Sequence, residues 1–109
     1  MEATHREGRS IPPDALEHLL KELRAFQDPM LEASTRGRFC YVPYEGGPLC
    51  RLGYRGQLEE WDFAIYRYST RRYGELELAP VSDSIRRCVE RALRAYDFRW
   101  QRTFHSRVH

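Results

Sequence analysis

A chain of 109 residues, 41% hydrophobic and 31% charged, has the length of one domain and the composition of an ordinary soluble globule. Its longest apolar runs are only a few residues, too short to span a bilayer. The polar start MEATHREGRS lacks the apolar stretch of a secretory signal, so a cytoplasmic protein with no membrane segment is expected.

The formal charge of +2 is uneven: residues 1–83 carry 11 basic and 14 acidic side chains, net −3, whereas residues 84–109 carry seven arginines against Glu90 and Asp97, net +5. A basic C-terminal third suits an acidic partner such as a phosphate backbone; a solvated helix face and tail is the plainer reading. Arginine supplies 17 of the 18 basic residues, and asparagine is missing altogether. Codon usage in a GC-rich genome accounts for both, so the arginine excess is not in itself a sign of bidentate anion binding. Cys40, Cys50 and Cys88 are an odd number of cysteines without a secretion signal, which predicts free thiols.

In chain order, residues 1–10 are polar and aperiodic and form a flexible lead-in. A single domain is expected over 11–98 and a basic tail over 99–109. Pro12-Pro13-Asp14 opens a helix, since proline suits the first turn. Leu16, Leu19, Leu20, Leu23 and Phe26 then recur at helical spacing, predicting an amphipathic helix over 13–27 that ends before Pro29. Residues 30–34 can add one turn, and Arg36-Gly37-Arg38 leads into a sheet. Strands are predicted over 38–44, 49–55 and 61–68, the first two joined by a tight turn in Glu45-Gly46-Gly47-Pro48. Leu76 and Leu78, alternating with Glu75 and Glu77, predict a short edge-like fourth strand. After Pro80, Ser82 or Asp83 would cap a second helix. There Ile85, Cys88, Val89, Ala92, Leu93 and Tyr96 make an apolar stripe, and Arg86, Arg87, Glu90, Arg91 and Arg94 lie opposite. The fold class is therefore α+β: helix, antiparallel meander of three to four strands, helix.

The meander is the most particular part of the chain, with six of the seven tyrosines between Phe39 and Tyr73. A two-residue turn at Gly46-Gly47 would pair Tyr44 with Leu49 and Tyr41 with Leu52; a five-residue loop over 56–60 would pair Arg55 with Trp61. Side chains alternate and keep one face across such pairs. One face would then hold Cys40, Val42, Tyr44, Leu49, Arg51, Trp61, Phe63, Ile65 and Arg67. The other would hold Phe39, Tyr41, Cys50, Leu52, Tyr54, Asp62, Ala64, Tyr66 and Tyr68. The first, more aliphatic, should meet the helices. The second presents Tyr41, Tyr54, Tyr66 and Tyr68 as a candidate interaction face, and a homodimer is the simplest way to cover it.

Catalytic and metal signatures are not found. In this register Cys40 and Cys50 fall on opposite faces, excluding a direct bond; a one-residue slip would bring them to one face, offset. Their spacing is not a metal motif, and core packing is the expected role. His5, His105 and His109 lie in the termini, and His18 sits on the polar flank of the first helix without an evident partner for general-base work. Glu59-Glu60-Trp61-Asp62 reads as a solvated acidic turn, with Asp62 answering a nearby arginine. No phosphate-loop or nucleophile-elbow pattern occurs. The expectation is no catalytic residue, no metal and no cofactor.

The segment RGRFCYVPYEGGPLCRLGYRG with EEWDFAIYRYS resembles a small family of uncharacterised bacterial proteins over about residues 36–73. The resemblance implies bacterial origin and cytosolic residence, and no activity. The order helix, three strands, helix is also that of double-stranded RNA binding domains. Their lysine-rich start of the second helix is missing here, Ser84-Ile85-Arg86-Arg87 being only a faint echo. The leading expectation is a non-enzymatic binding or interaction domain acting as a homodimer. A second is nucleic-acid binding through Arg86, Arg87, Arg91, Arg94, Arg99 and Arg102. A third is an enzyme or small-molecule binder with a tyrosine-lined pocket.

Overall fold

The computed structural model describes residues 10–75 and 81–95. The chain runs α1 (Pro13–Arg24), β1 (Ser34–Arg36), β2 (Phe39–Tyr44), β3 (Gly47–Tyr54), β4 (Trp61–Arg67), β5 (Arg72–Gly74) and β6 (Ser82–Asp83). A second helix, α2, follows over 85–95. The α+β class and the helix–meander–helix order are those expected from the sequence. All strand pairs are antiparallel, in the order β1-β2-β3-β4-β5, and β6 also pairs with β4. Because β3 occupies one edge of β4, β5 and β6 divide the other, β5 at Ile65–Arg67 and β6 at Trp61–Asp62.

Helix α1 starts on Pro13, with Asp14 in its first turn and Lys21 and Arg24 in its last, each charge at the end of the dipole that favours it. It stops short of residue 27. Phe26 and Gln27 donate to the carbonyls three residues back, at 3.2 and 2.9 Å, and Gln27 adopts φ 55°, a tightened, left-handed exit. No further helical turn forms over 30–34. The Asp28 carboxylate accepts both the Met30 amide, at 3.0 Å, and the Tyr44 hydroxyl, at 2.9 Å. That pins the segment to the end of β2, so Leu31 bridges Tyr44 and residues 34–36 become strand β1.

The β2–β3 turn is Glu45-Gly46, one residue earlier than expected. Both residues have positive φ, 55° and 83°, the type I′ turn whose twist matches the flanking strands. Tyr44 therefore pairs with Gly47, and beyond a bulge Val42 pairs with Cys50, Tyr41 with Arg51 and Cys40 with Leu52. The loop to β4 is one residue longer than expected, so Tyr54 pairs with Trp61 and Leu52 with Phe63. The bulge on one side and the longer loop on the other each shift β3 by one residue. Its faces invert relative to expectation, while those of β2 and β4 stand. Cys40 and Cys50 thus share a face, offset by one pair of residues, instead of lying on opposite faces. The bulge between Val42 and Pro43 leaves both Leu49 and Cys50 buried.

Helix α2 is capped by Ser84, whose hydroxyl accepts the Arg87 amide at 3.3 Å, whereas Ser82 and Asp83 lie in β6. The fourth strand expected at Leu76–Leu78, the lead-in 1–9 and the tail 99–109 lie outside the described residues.

The core sits between the two helices and one sheet face. Ala15, Leu19 and Leu23 of α1 and Ile85, Cys88, Val89 and Ala92 of α2 meet Cys40, Val42, Cys50, Leu52, Trp61, Phe63 and Ile65. Trp61, fully buried, satisfies its indole by donating to the Leu58 carbonyl at 2.9 Å. Each large aliphatic side chain buried in this layer contributes about 1.5–3 kcal/mol.

Candidate functional site

With the core on one side, the register places a different set of side chains on the other. Arg36 and Phe39 share a row with Gly53 and Asp62, Tyr41 shares one with Arg51 and Ala64, and Tyr66 pairs with Tyr73. Phe39, Tyr41, Arg51, Tyr66 and Tyr73 are all half-buried, and neither helix contributes its core residues to this outer face.

The rings touch in series. Centroids are 6.4 Å apart for Phe39–Tyr41, 5.5 Å for Tyr41–Tyr73, 5.0 Å for Tyr73–Tyr66 and 4.9 Å for Tyr66–Tyr68. Three of these contacts are edge-to-face, the arrangement that aligns ring edges with the negative faces. Tyr41 and Tyr73 meet although β3 and β4 lie between their strands. The floor beneath them is small: Ala64 is only 8% exposed on a face to which neither described helix contributes core residues.

Gly53 opens the other lane. A side chain there would meet Arg38 Nη1 at 2.8 Å, Phe39 Cε1 at 3.1 Å and Asp62 Cβ at 3.2 Å. Through this gap the Arg38 guanidinium crosses the sheet to donate to the Tyr54 carbonyl at 3.0 Å and to Asp62 Oδ2 at 3.1 Å. Asp62 also takes Arg55 at 3.3 Å, as its sequence position beside several arginines led one to expect. Gly47 serves a similar purpose for Tyr68, whose hydroxyl lies 2.9 Å from where a Cβ would stand and donates to the Pro48 carbonyl at 2.8 Å.

Arg51 is held differently. Its guanidinium carbon lies 4.5 Å from the Phe39 centroid and 5.3 Å from that of Tyr73, with Arg38 also 4.4 Å from Phe39. Among the described residues the Arg51 side chain has no carboxylate partner and no hydrogen bond. Burial pushes the Tyr73 phenol above its ordinary value, with the Arg51 charge pulling slightly the other way.

Of the expected tyrosine face, Tyr41 and Tyr66 lie on this surface and Tyr68 flanks it in the turn after β4. Tyr54 does not. The shift of β3 turns it to the core side, where its ring meets Trp61 at 5.3 Å. Arg51, Phe39 and Tyr73 were not singled out beforehand. One signal was available: Arg51 is the only charged residue within β3, and a register that buries it under the helices is the less favourable one.

The arginines of α2 are partly spoken for. Arg86 pairs with Glu90 at 3.4 Å, and Arg91 with Asp83 at 2.7 Å. Burial alone would raise the Asp83 carboxyl, but hydrogen bonds from Arg91 and the Ser84 amide, with the charges of Arg91 and Arg87, hold it below its ordinary value. Arg87 and Arg94 are exposed; Arg99 and Arg102 lie outside the described residues.

The three cysteines are free and buried. Burial pushes the Cys40 thiol up to about 11 and that of Cys88 to about 12, and holds Cys50 well above its ordinary value. At neutral pH all three are protonated, the form that neither attacks nor ligates. Among the described residues no group of three or more His, Cys, Asp or Glu could hold a metal ion. His18, expected to lack a neighbour, has the exposed Glu59 carboxylate at 3.7 Å. A shallow groove of about 470 Å³ runs between the end of α1 and residues 28–33, lined by Leu20, Leu23, Leu31 and Asp28 among others. No tyrosine lines it. No described helix is long and apolar enough to cross a membrane.

Comparison with protein-family models, with curated proteins and with solved structures gives no match for this chain. Its functional reading therefore rests on its own residues.

Proposed function

We propose that this chain is a non-enzymatic binding module whose working surface is the outer face of its sheet. The observation that carries the reading is the company Arg51 keeps: a half-buried guanidinium supported by aromatic rings and answered by no described carboxylate. Folding gains little from such a group. Desolvating a charge without an acceptor is costly, and a cation–π contact returns only about 0.5–1 kcal/mol at a partly exposed site. Residues that stability does not call for concentrate where proteins bind. The contacting rings beside it supply broad, rigid, amphipathic contact area of the sort enriched in binding surfaces.

A symmetric dimer is the expectation this reading changes most. A two-fold axis sets one patch against its copy, so a face with more arginines than carboxylates would meet the same excess of positive charge. A partner of opposite sign suits the face better. Photo-cross-linking tests the reading: a photoreactive residue in place of Tyr66 should give adducts in cells of the protein's own source, and one in place of Lys21 on α1 should not. Equal adducts from both positions, or none from position 66, would refute it.

A further inference from the structure

Resting on that reading, we propose that the occupant of the outer face is single-stranded nucleic acid, with unpaired bases on Tyr41, Tyr66 and Tyr73 and phosphates on Arg51 and Arg36. The sign of the surface comes first. Arg36, Arg38, Arg51 and Arg55 on this face and its rim outnumber Asp62, Glu60 and Glu75, and Asp62 is already shared between Arg38 and Arg55. Arg51 keeps all its donors for an external acceptor. A guanidinium fork matches phosphate or carboxylate equally well in geometry, so the arginines alone leave two kinds of partner.

The rings decide between them. The acidic side chains of a peptide offer carboxylates but no aromatic faces to stack on three adjacent tyrosines. Every nucleobase has a π face, and stacking on aromatic side chains beside a positive groove is how single strands are held without sequence preference. Phe39 is engaged by two guanidiniums and serves as their support. Tyr41 and Tyr66 make only ring contacts, Tyr73 adds the Arg51 guanidinium at 5.3 Å, and none of the three makes a hydroxyl hydrogen bond among the described residues, so their hydroxyls stay available to base edges or phosphate. A duplex would gain little here, because its bases are stacked on one another and only its phosphates are presented. The surface is also distinct from α2, where Arg86 and Arg91 are already paired.

The test uses the purified full chain and fluorescent oligo(U) and oligo(dT) of about twelve nucleotides, within the span one small module covers. Fluorescence anisotropy should show binding at low salt. With about two or three phosphates neutralised at a slope of about −0.7 each, affinity should fall about ten-fold from 50 to 200 mM salt. Tyr66→Ala and Arg51→Ala should each weaken binding about ten-fold, Tyr66→Phe should restore it, and Arg87→Ala should leave it unchanged. A duplex of the same length should bind at least about ten-fold more weakly. Circular dichroism and thermal unfolding of each variant separate lost binding from lost fold, and Arg51→Ala keeps the test valid if Tyr66→Ala unfolds. Absence of binding at low salt overturns the proposal. So does duplex binding that falls with Arg87→Ala but not with Arg51→Ala, or an oligoglutamate that binds as tightly as the oligonucleotides. A sedimenting dimer abolished by Tyr66→Asp, with no oligonucleotide binding, overturns the nucleic-acid inference and leaves the outer face as a binding surface. Failure of the cross-linking as well removes both.

Discussion

Gly53→Ala is the sharpest probe of how the outer face is built, because two effects predict opposite signs. Replacing a strand glycine by alanine ordinarily stabilises by about 0.4–1 kcal/mol, by restricting the unfolded chain. Here the new methyl would stand 2.8 Å from Arg38 Nη1, 3.1 Å from Phe39 Cε1 and 3.2 Å from Asp62 Cβ. The nearest atom belongs to a long side chain that could swing away, yet it is fixed at 3.0 Å to the Tyr54 carbonyl and at 3.1 Å to Asp62. Asp62 Cβ is one bond from the backbone of β4, and Phe39 is held beneath two guanidiniums. Overpacking of this kind costs about 1–3 kcal/mol, and release of the half-exposed Arg38–Asp62 pair adds about 0.2–1 kcal/mol. The net expectation is a loss of about 1–3 kcal/mol, a fall in Tm of about 5–20 °C for a domain of this size. Urea and thermal unfolding of Gly53→Ala, Arg38→Ala and the double variant measure it. Once Arg38 is shortened, the added methyl should cost clearly less, a coupling expected only between residues in contact. A Gly53→Ala protein as stable as the parent in both backgrounds would refute the account of this lane.

Two further predictions concern pH. The raised Cys40 and Cys88 thiols stay protonated in the folded chain when those of the unfolded chain ionise. Their stabilisation is therefore complete below the ordinary thiol value of 9.0 and is lost as pH rises through the window toward about 11 and about 12. Urea midpoints should fall above pH 9 as stability drops by about 1.4 kcal/mol per pH unit for each such thiol, and Cys88→Ala should flatten the slope; a midpoint independent of alkaline pH would contradict the burial. Asp83 titrates the other way. Its lowered pKa gives stability that is present above the ordinary carboxylate range and lost as pH falls through the folded value. Asp83→Asn should cost at most about 1 kcal/mol near neutrality, since the pair with Arg91 is partly solvated. That deficit should shrink in acid; a constant deficit would mean that the Arg91 pair is not its source.

The sequence by itself determined the types of α1, β2, β3, β4 and α2, because hydrophobic periodicity and turn chemistry are local, whereas the short strands β1, β5 and β6 carry no such pattern. Leu19 and Leu23 mark the buried stripe of α1, Ile85, Cys88, Val89 and Ala92 that of α2, and the alternation in β2 and β4 assigns their faces correctly. The buried, unreactive character of the cysteines was legible too, from their number and spacing. Only the tertiary structure decided the register of β3. Leu49-Cys50-Arg51-Leu52 has apolar residues at both parities, so its own pattern does not choose a face. The choice fell to Glu45-Gly46 forming the type I′ turn and to a bulge that buries Leu49 and Cys50 together. The bulge, by adding one residue to the pairing, sends Tyr54 to the core and brings Arg51 out among Phe39, Tyr41 and Tyr73. The candidate site is thus a product of pairing across strands far apart in sequence, and no stretch of the chain read alone contains it.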